Sequence, residues 1–158
     1  GKQGDREERE DEEVNRCACN ARVHAHPQMR ATFRKHERLT GRDRVKQVAT
    51  TGQVVKLPPF RLIGLLMPLD TVAPAQVAFA IPKRHVRLAT DRNRIRRLMR
   101  ESYRLEKHRW YERLSAADAQ CAWLLIFQGS AQLRWDEARD KITRVFDRWT
   151  DQHVGDAR

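Results

Sequence analysis

The 158-residue chain holds three cysteines, an odd number and too few to staple a scaffold. That excludes a disulfide framework and points to a reducing compartment. No apolar run approaches the ~20 residues that span a bilayer. The opening GKQGDREEREDEE carries no signal-peptide pattern. No membrane partner and a cytoplasmic location are therefore expected. There is no internal repeat, no P-loop, no G-x-S-x-G and no H-E-x-x-H, so no familiar catalytic motif announces an enzyme. Acids are the scarcer charge, with 21 Asp and Glu against 32 Lys and Arg and a net charge of +11 at pH 7. Such an excess points to a polyanionic partner.

The charge is unevenly placed. Residues 1–13 carry seven acids against three bases, whereas residues 83–113 carry twelve bases against four acids. The first segment has no apolar residue before Val14 and is expected to be disordered. The next stretch, VNRCACNARVHAHPQ, keeps no sustained period. The expected organisation is an extension over 1–28, a folded domain over 29–150 and a flexible tail over 151–158. Within the extension, Cys17, Cys19, His24 and His26 are all metal-ligand types. Their C-x-C-x4-H-x-H spacing is tighter than zinc sites use, and no core orients them, so no metal site is expected. Asp70, Asp91 and Asp118 lie in separate segments without paired spacing, which argues against a metal nuclease made of protein alone.

What is abundant is arginine on a helical pattern. Residues 90–104 read TDRNRIRRLMRESYR, with six arginines in fifteen positions. Ile95, Leu98, Met99, Ser102 and Tyr103 recur at helical spacing and form one stripe. Arg92, Asn93, Arg96, Arg97, Arg100 and Arg104 fall on the rest of the cylinder. The pattern predicts a helix from about Thr90 to Leu114, with Thr90 or Asp91 as N-cap. A helix held by an apolar stripe can offer its guanidinium groups to phosphates, whose oxygens suit the planar two-donor fork. The bland alternative is solvated charge, or pairing along the helix with Asp91 and Glu101. Arg94, next to the stripe, is the member expected to be structural.

The remaining elements follow from period and punctuation. A helix is predicted over 36–51, with Leu39, Val45 and Val48 inward and Gly52 as its stop. A short strand near 53–57 precedes Pro58-Pro59, and FRLIGLLMP reads as the next strand. Residues 69–76 read as the loop of a hairpin whose returning strand is 77–81. There Val77, Phe79 and Ile81 alternate with Ala78 and Ala80, as if one sheet face were crowded. CAWLLIFQ at 121–128 is apolar throughout and reads as a central strand. Trp135, Ala138, Ile142, Val145, Phe146 and Trp149 make a final amphipathic helix, and the four tryptophans read as core. The order α-β-β-β-α-β-α describes a single-domain α+β sandwich.

The run VAFAIPKRHVRLATDRNRIRRLMRESYRLEKH resembles the signature region of the bacterial ribonuclease P protein subunit. That family shows a strand, a basic pair, a basic loop and an R-N-R-x-[KR]-R-x-x-R-E helix. Here the motif stands as Arg92-Asn93-Arg94-Ile95-Arg96-Arg97, then Arg100-Glu101. The form of the loop is similar to the proteobacterial branch, and the likeness extends over roughly residues 33–149. The resemblance implies a ribosomal protein S5 domain 2-like fold with a left-handed β-α-β crossover carrying the arginine helix, against the usual right-handed rule. It implies a protein that binds a large catalytic RNA, the pair removing the 5′ leader from precursor tRNA. The chemistry would belong to the RNA, with Mg2+ bound mainly there, no catalytic residue or intrinsic cofactor in the protein, and no protein partner.

Residue by residue, the resemblance assigns RNA contact to Lys83, Arg84, Arg87, Arg92, Asn93, Arg94, Arg96, Arg97, Arg100 and Arg104. It also implies a leader cleft between the first helix and the sheet. Family members commonly place stacking aromatics at positions that correspond here to Val45 and Ala49, neither of which can stack. Phe60 and Phe79 are the strand aromatics that could take their place. The alternative reading is a general RNA-binding module, such as a ribosomal or assembly factor, without a part in tRNA cleavage.

Overall fold

The computed structural model describes residues 32–154, so Cys17, Cys19, His24 and His26 and the expected extension over 1–28 lie outside the described residues. Four strands, β1 (Gln53–Leu57), β2 (Phe60–Leu66), β3 (Ala75–Ala80) and β4 (Cys121–Phe127), form one sheet in the order β1-β2-β4-β3. Helix α1 (Arg42–Thr51) lies against one face, on β2 and β4. Helices α2 (Ala89–Ala116) and α3 (Trp135–His153) cover the other. Helix α3 runs three residues into the segment expected to be tail.

The expected hairpin through residues 69–76 is corrected. The hairpin is β1–β2, turning at Pro58-Pro59, and β2 does not pair with β3. Instead β4 lies between them, antiparallel to β2 and parallel to β3. Its sequence is the reason: CAWLLIF is apolar on both faces, and only an interior place buries both. The 67–74 loop crosses the start of β4 and is held by Gln120. The Gln120 carboxamide accepts from Leu69 N–H (2.9 Å) and donates to the Thr71 and Ala73 carbonyls (2.8 and 3.0 Å).

The first helix is shorter than the predicted 36–51. A 3-10 turn at Lys35–Glu37 leads into extended chain, and Leu39 N–H donates to the Val77 carbonyl at 3.0 Å. This segment covers the outer edge of β3, where open backbone groups would otherwise invite pairing. Gly41, at φ +95°, takes a conformation that side chains disfavour and starts α1 there. Gly52 ends it as expected, its N–H donating to the Val48 carbonyl at 2.8 Å.

Strand alternation sorts the core into two clusters. Phe60, Leu62, Val77, Trp123, Leu125 and Phe127 face α2 and α3, meeting Ile95, Met99, Tyr103, Trp110, Phe146 and Trp149. Ile63, Ala122 and Leu124 face α1, meeting Leu39 and Val48. Trp110, Trp123 and Trp149 are fully buried, while Trp135 is only partly covered. Gly64 lets the Trp149 indole lie directly on β2, since a Cβ there would sit 2.3 Å from the ring.

Helix α2 is about 42 Å long at 1.5 Å per residue. Its N-cap is Leu88, not Thr90 or Asp91, and no side chain caps it. The predicted stripe is buried except Leu98, which is half-buried, and it continues through Trp110, Tyr111 and Leu114. Lys107 joins that buried face, which no apolar period foretells. Its Nζ donates to Glu37 Oε1 and to the Thr32 carbonyl. Glu37 Oε2 accepts from Arg34 N–H at 2.7 Å. The hydroxyls of Tyr103 and Tyr111 stand 2.9 Å apart beside this pair, with the Lys107 ammonium 5.4 Å from the Tyr111 ring centre.

Burial pushes both phenols well above the ordinary tyrosine value of about 10. A raised native pKa contributes stability that is complete while unfolded tyrosine stays protonated. It is lost as the pH rises above about 10 and the unfolded chain alone ionises. The chain has only these two tyrosines. In an alkaline titration, tyrosinate absorbance should therefore rise together with the loss of helical circular dichroism. Tyrosinate appearing in still-folded protein would contradict the burial.

Candidate nucleic-acid interface

The basic residues gather at the end of the sheet where β3 and β4 finish. After β3, Pro82 O accepts from His85 and Val86 N–H (3.1 and 3.3 Å), making a tight turn. Val86 is buried and pins this turn, leaving Lys83, Arg84 and Arg87 exposed around it. Helix α2 starts immediately afterwards. Asn93, Arg94 and Arg97 are exposed there, and Arg92, Arg96 and Arg100 are half-buried.

Salt-bridge geometry separates the two halves of α2. In the second half, Arg109 pairs with Asp147 (3.1 Å) and Arg113 with Asp151 (2.6 Å), both acids on α3. Glu106 receives Arg139 at 2.9 Å. Arg104 pairs with Glu101 at 2.7 Å, so this member of the expected RNA-contact set already has a carboxylate partner. Among the described residues, no carboxylate stands within ion-pair distance of Lys83, Arg84, Arg87, Arg92, Arg94, Arg96, Arg97 or Arg100. Carboxylate pairing, along the helix and across to α3, therefore explains Arg104, Arg109 and Arg113, but not the motif.

The motif arginines are not equivalent. Arg92 donates to the Val86 and Arg87 carbonyls (3.0 and 2.6 Å), and Arg94 donates to the Leu133 carbonyl (3.0 Å) and to that of Ala131. Arg96 donates to Asn93 Oδ1 at 3.4 Å, a long contact between neighbouring side chains of the helix. Arg100 lies 5.9 Å from the Phe33 ring centre, with Arg38 at 5.5 Å. The Arg100 Nε is buried without a hydrogen-bond partner among the described residues. Arg97 is exposed, with no carboxylate at ion-pair distance among the described residues.

The α1 face of the sheet holds a second basic group that period and motif reading missed. Lys56, Arg61, Ile126 and Ala80 form one cross-strand row, and opposite partners share a face. Ile126, Ala78 and Ala80 on this face are half-buried, and Arg61 Nε is buried without a partner among the described residues. Val45 is half-buried and Ala49 exposed on α1 beside it. Phe60 and Phe79 are elsewhere. Phe60 packs on Phe127 at 5.5 Å, and Phe79 meets Phe33 and Tyr103 at 5.9 and 6.0 Å, all on the α2–α3 face. The strand aromatics thus do not line a cleft under α1. The signal was in the alternation at 77–81: the large residues face the crowded side, and the alanines floor the open one.

Among the described residues, no three His, Cys, Asp or Glu side chains converge as a metal site would need. Asp70 pairs with Arg44, Asp91 lies in the first turn of α2, and Asp118 follows that helix at φ 50°. No described helix is long and apolar enough to cross a membrane.

A sheet with a parallel β-α-β unit, whose helix begins in arginines without carboxylate partners among the described residues and beside a basic turn, defines an α+β protein with one strongly basic end. Residues 33–150 match the family model described as Ribonuclease P, and the chain belongs to that family. It is 38% identical over 74 residues to the ribonuclease P protein component of Porphyromonas gingivalis, covering 47% of this chain and 54% of that protein. The chain thus spans about half the length of that relative. The RNase P protein of Staphylococcus aureus is similar in structure, with TM-score 0.60 and 15% identity over 73% of this chain and 96% of that one. The RNase P protein of Thermotoga maritima gives TM-score 0.55 and 16% identity over 71% and 96%. At such identities the likeness concerns the fold, a four-stranded sheet with three helices.

Proposed function

We propose that this chain is the protein subunit of ribonuclease P, binding the catalytic RNA and the 5′ leader of precursor tRNA to support removal of that leader. The observation that carries this reading is the row of guanidinium groups at the start of α2 without carboxylate partners among the described residues, continuous with Lys83, Arg84 and Arg87. Charged forks held on a rigid helix suit the phosphates of a structured RNA, and Asn93 adds a neutral donor and acceptor for a 2′-hydroxyl or base edge. Lys56 and Arg61 on the α1 face would follow the leader's phosphates. With Val45 and Ala49 in place of stacking aromatics, that grip depends on charge more than on bases.

The chain supplies no hydrolytic group in this reading. In the same reading, Mg2+ and the attacking water belong with the RNA. The expected binding behaviour is specific. The chain should bind a bacterial ribonuclease P RNA more tightly than a structured RNA of equal length. Log K should fall with log salt by about 0.7–0.9 per phosphate neutralised. Equal affinity for both RNAs at near-physiological salt would favour a general RNA-binding module instead.

A further inference from the structure

Two of the three residues of the R-N-R triplet spend their donors on the protein's own backbone. Arg92 reaches back to the Val86 and Arg87 carbonyls, the last part of the basic turn. Arg94 reaches across to the Ala131 and Leu133 carbonyls in the loop between β4 and α3. That loop is itself tied to the sheet. Gln128 N–H donates to the Pro59 carbonyl at 2.7 Å, and Leu133 is buried. Gly129 sits so close to the β1–β2 turn that a Cβ would lie 2.7 Å from Pro59 Cβ. The first two turns of α2 are therefore gripped from both sides, by the basic turn through Arg92 and by the sheet end through Arg94.

We propose that Arg92 and Arg94 are positioning residues, which clamp the start of α2 so that the basic turn and the outward pair Arg96 and Arg97 are presented to RNA at a fixed spacing. The proposal deepens the RNA-binding reading above and rests on it. Peptide carbonyls are neutral acceptors, so these guanidinium groups keep their charge while their geometry is spent on the protein. A lysine cannot substitute, because an ammonium on a flexible stem does not reproduce the planar fork that spans two carbonyls.

The test compares Arg94→Ala, Arg94→Lys and Arg97→Ala in the full chain, by backbone hydrogen exchange and by binding to a bacterial ribonuclease P RNA across a salt series. Both Arg94 variants should exchange at least tenfold faster over residues 128–134 and bind the RNA about tenfold more weakly, with the salt slope of the unaltered chain. Arg97→Ala should leave exchange unchanged and flatten the slope by about 0.7–0.9, the loss of one phosphate contact. If Arg94→Ala flattens the slope by that amount, or Arg94→Lys retains full affinity, Arg94 is a phosphate ligand and the proposal fails. It also fails if exchange at 128–134 is unchanged, or if the loop loosens with no loss of affinity. Absence of binding by the unaltered chain would instead strike the parent reading, and the exchange arm would still judge the clamp.

Discussion

Lys107→Ala is expected to lower the unfolding free energy by about 3–5 kcal/mol, because it strands a buried carboxylate. A domain of this kind holds only about 5–15 kcal/mol in total, so the variant approaches the limit of folding. Lys107 and Glu37 are each only 4% exposed, and the ammonium also holds the Thr32 carbonyl. Glu37 in turn holds the Arg34 amide, so the pair fixes the chain that carries Phe33 between Arg38 and Arg100. Glu37→Ala should cost a similar amount. The double variant Lys107→Met with Glu37→Leu should recover most of the loss, since a buried pair replaced by apolar side chains leaves no charge unpaired. Urea unfolding of the three variants measures this directly, with the midpoint moving and the slope preserved. A loss under about 1 kcal/mol for Lys107→Ala would mean that water reaches the pair.

Arg96→Ala combined with Arg97→Ala is expected to weaken binding to ribonuclease P RNA by about a hundredfold or more. Hydrogen bonds to charged groups contribute about 1.5–3 kcal/mol each, so losing two crosses that threshold. The salt slope should flatten by about 1.4–1.8, the sum for two phosphates. Neither arginine has a carboxylate partner among the described residues, so the unfolding midpoint should stay close to that of the unaltered chain. Arg109→Ala is the matched control. It removes one charge of the same sign from the same helix, against two in the double variant, and from a side chain engaged with Asp147 and Glu106. Its expected effect on the slope is small. Equal slopes for the double variant and the control would remove the start of α2 from its assigned role.

Much of this was legible in local pattern, and the rest depended on partners far away in sequence. The stripe Ile95–Met99–Tyr103 and the apolar run 121–127 each announce burial through their own spacing, and both elements lie within a few residues of expectation. The position of β4 between β2 and β3 was not readable as topology, because a strand's neighbours leave no mark in its period. Its two-sided apolar character was the available clue. Lys107 is invisible for a similar reason, since its partner Glu37 lies 70 positions earlier. Phe60 and Phe79 show how a period of two decides function. One register fixes which face each strand residue takes, and these aromatics fall on the core side. The motif arginines were legible as a set but not in their division of labour. Whether a guanidinium meets a carbonyl or solvent depends on where the loops at 86–87 and 131–133 pass.

The central claim is that this chain holds a catalyst it does not itself contain. It is tested most directly by reconstitution on precursor tRNA at low micromolar concentration in Mg2+ and near-physiological salt. The chain alone should leave the substrate uncut. Added to a bacterial ribonuclease P RNA, it should accelerate cleavage at the mature 5′ end and yield a 5′-phosphate on the tRNA. Cleavage by the chain alone, or an RNA whose activity is unchanged by adding it, would contradict the claim.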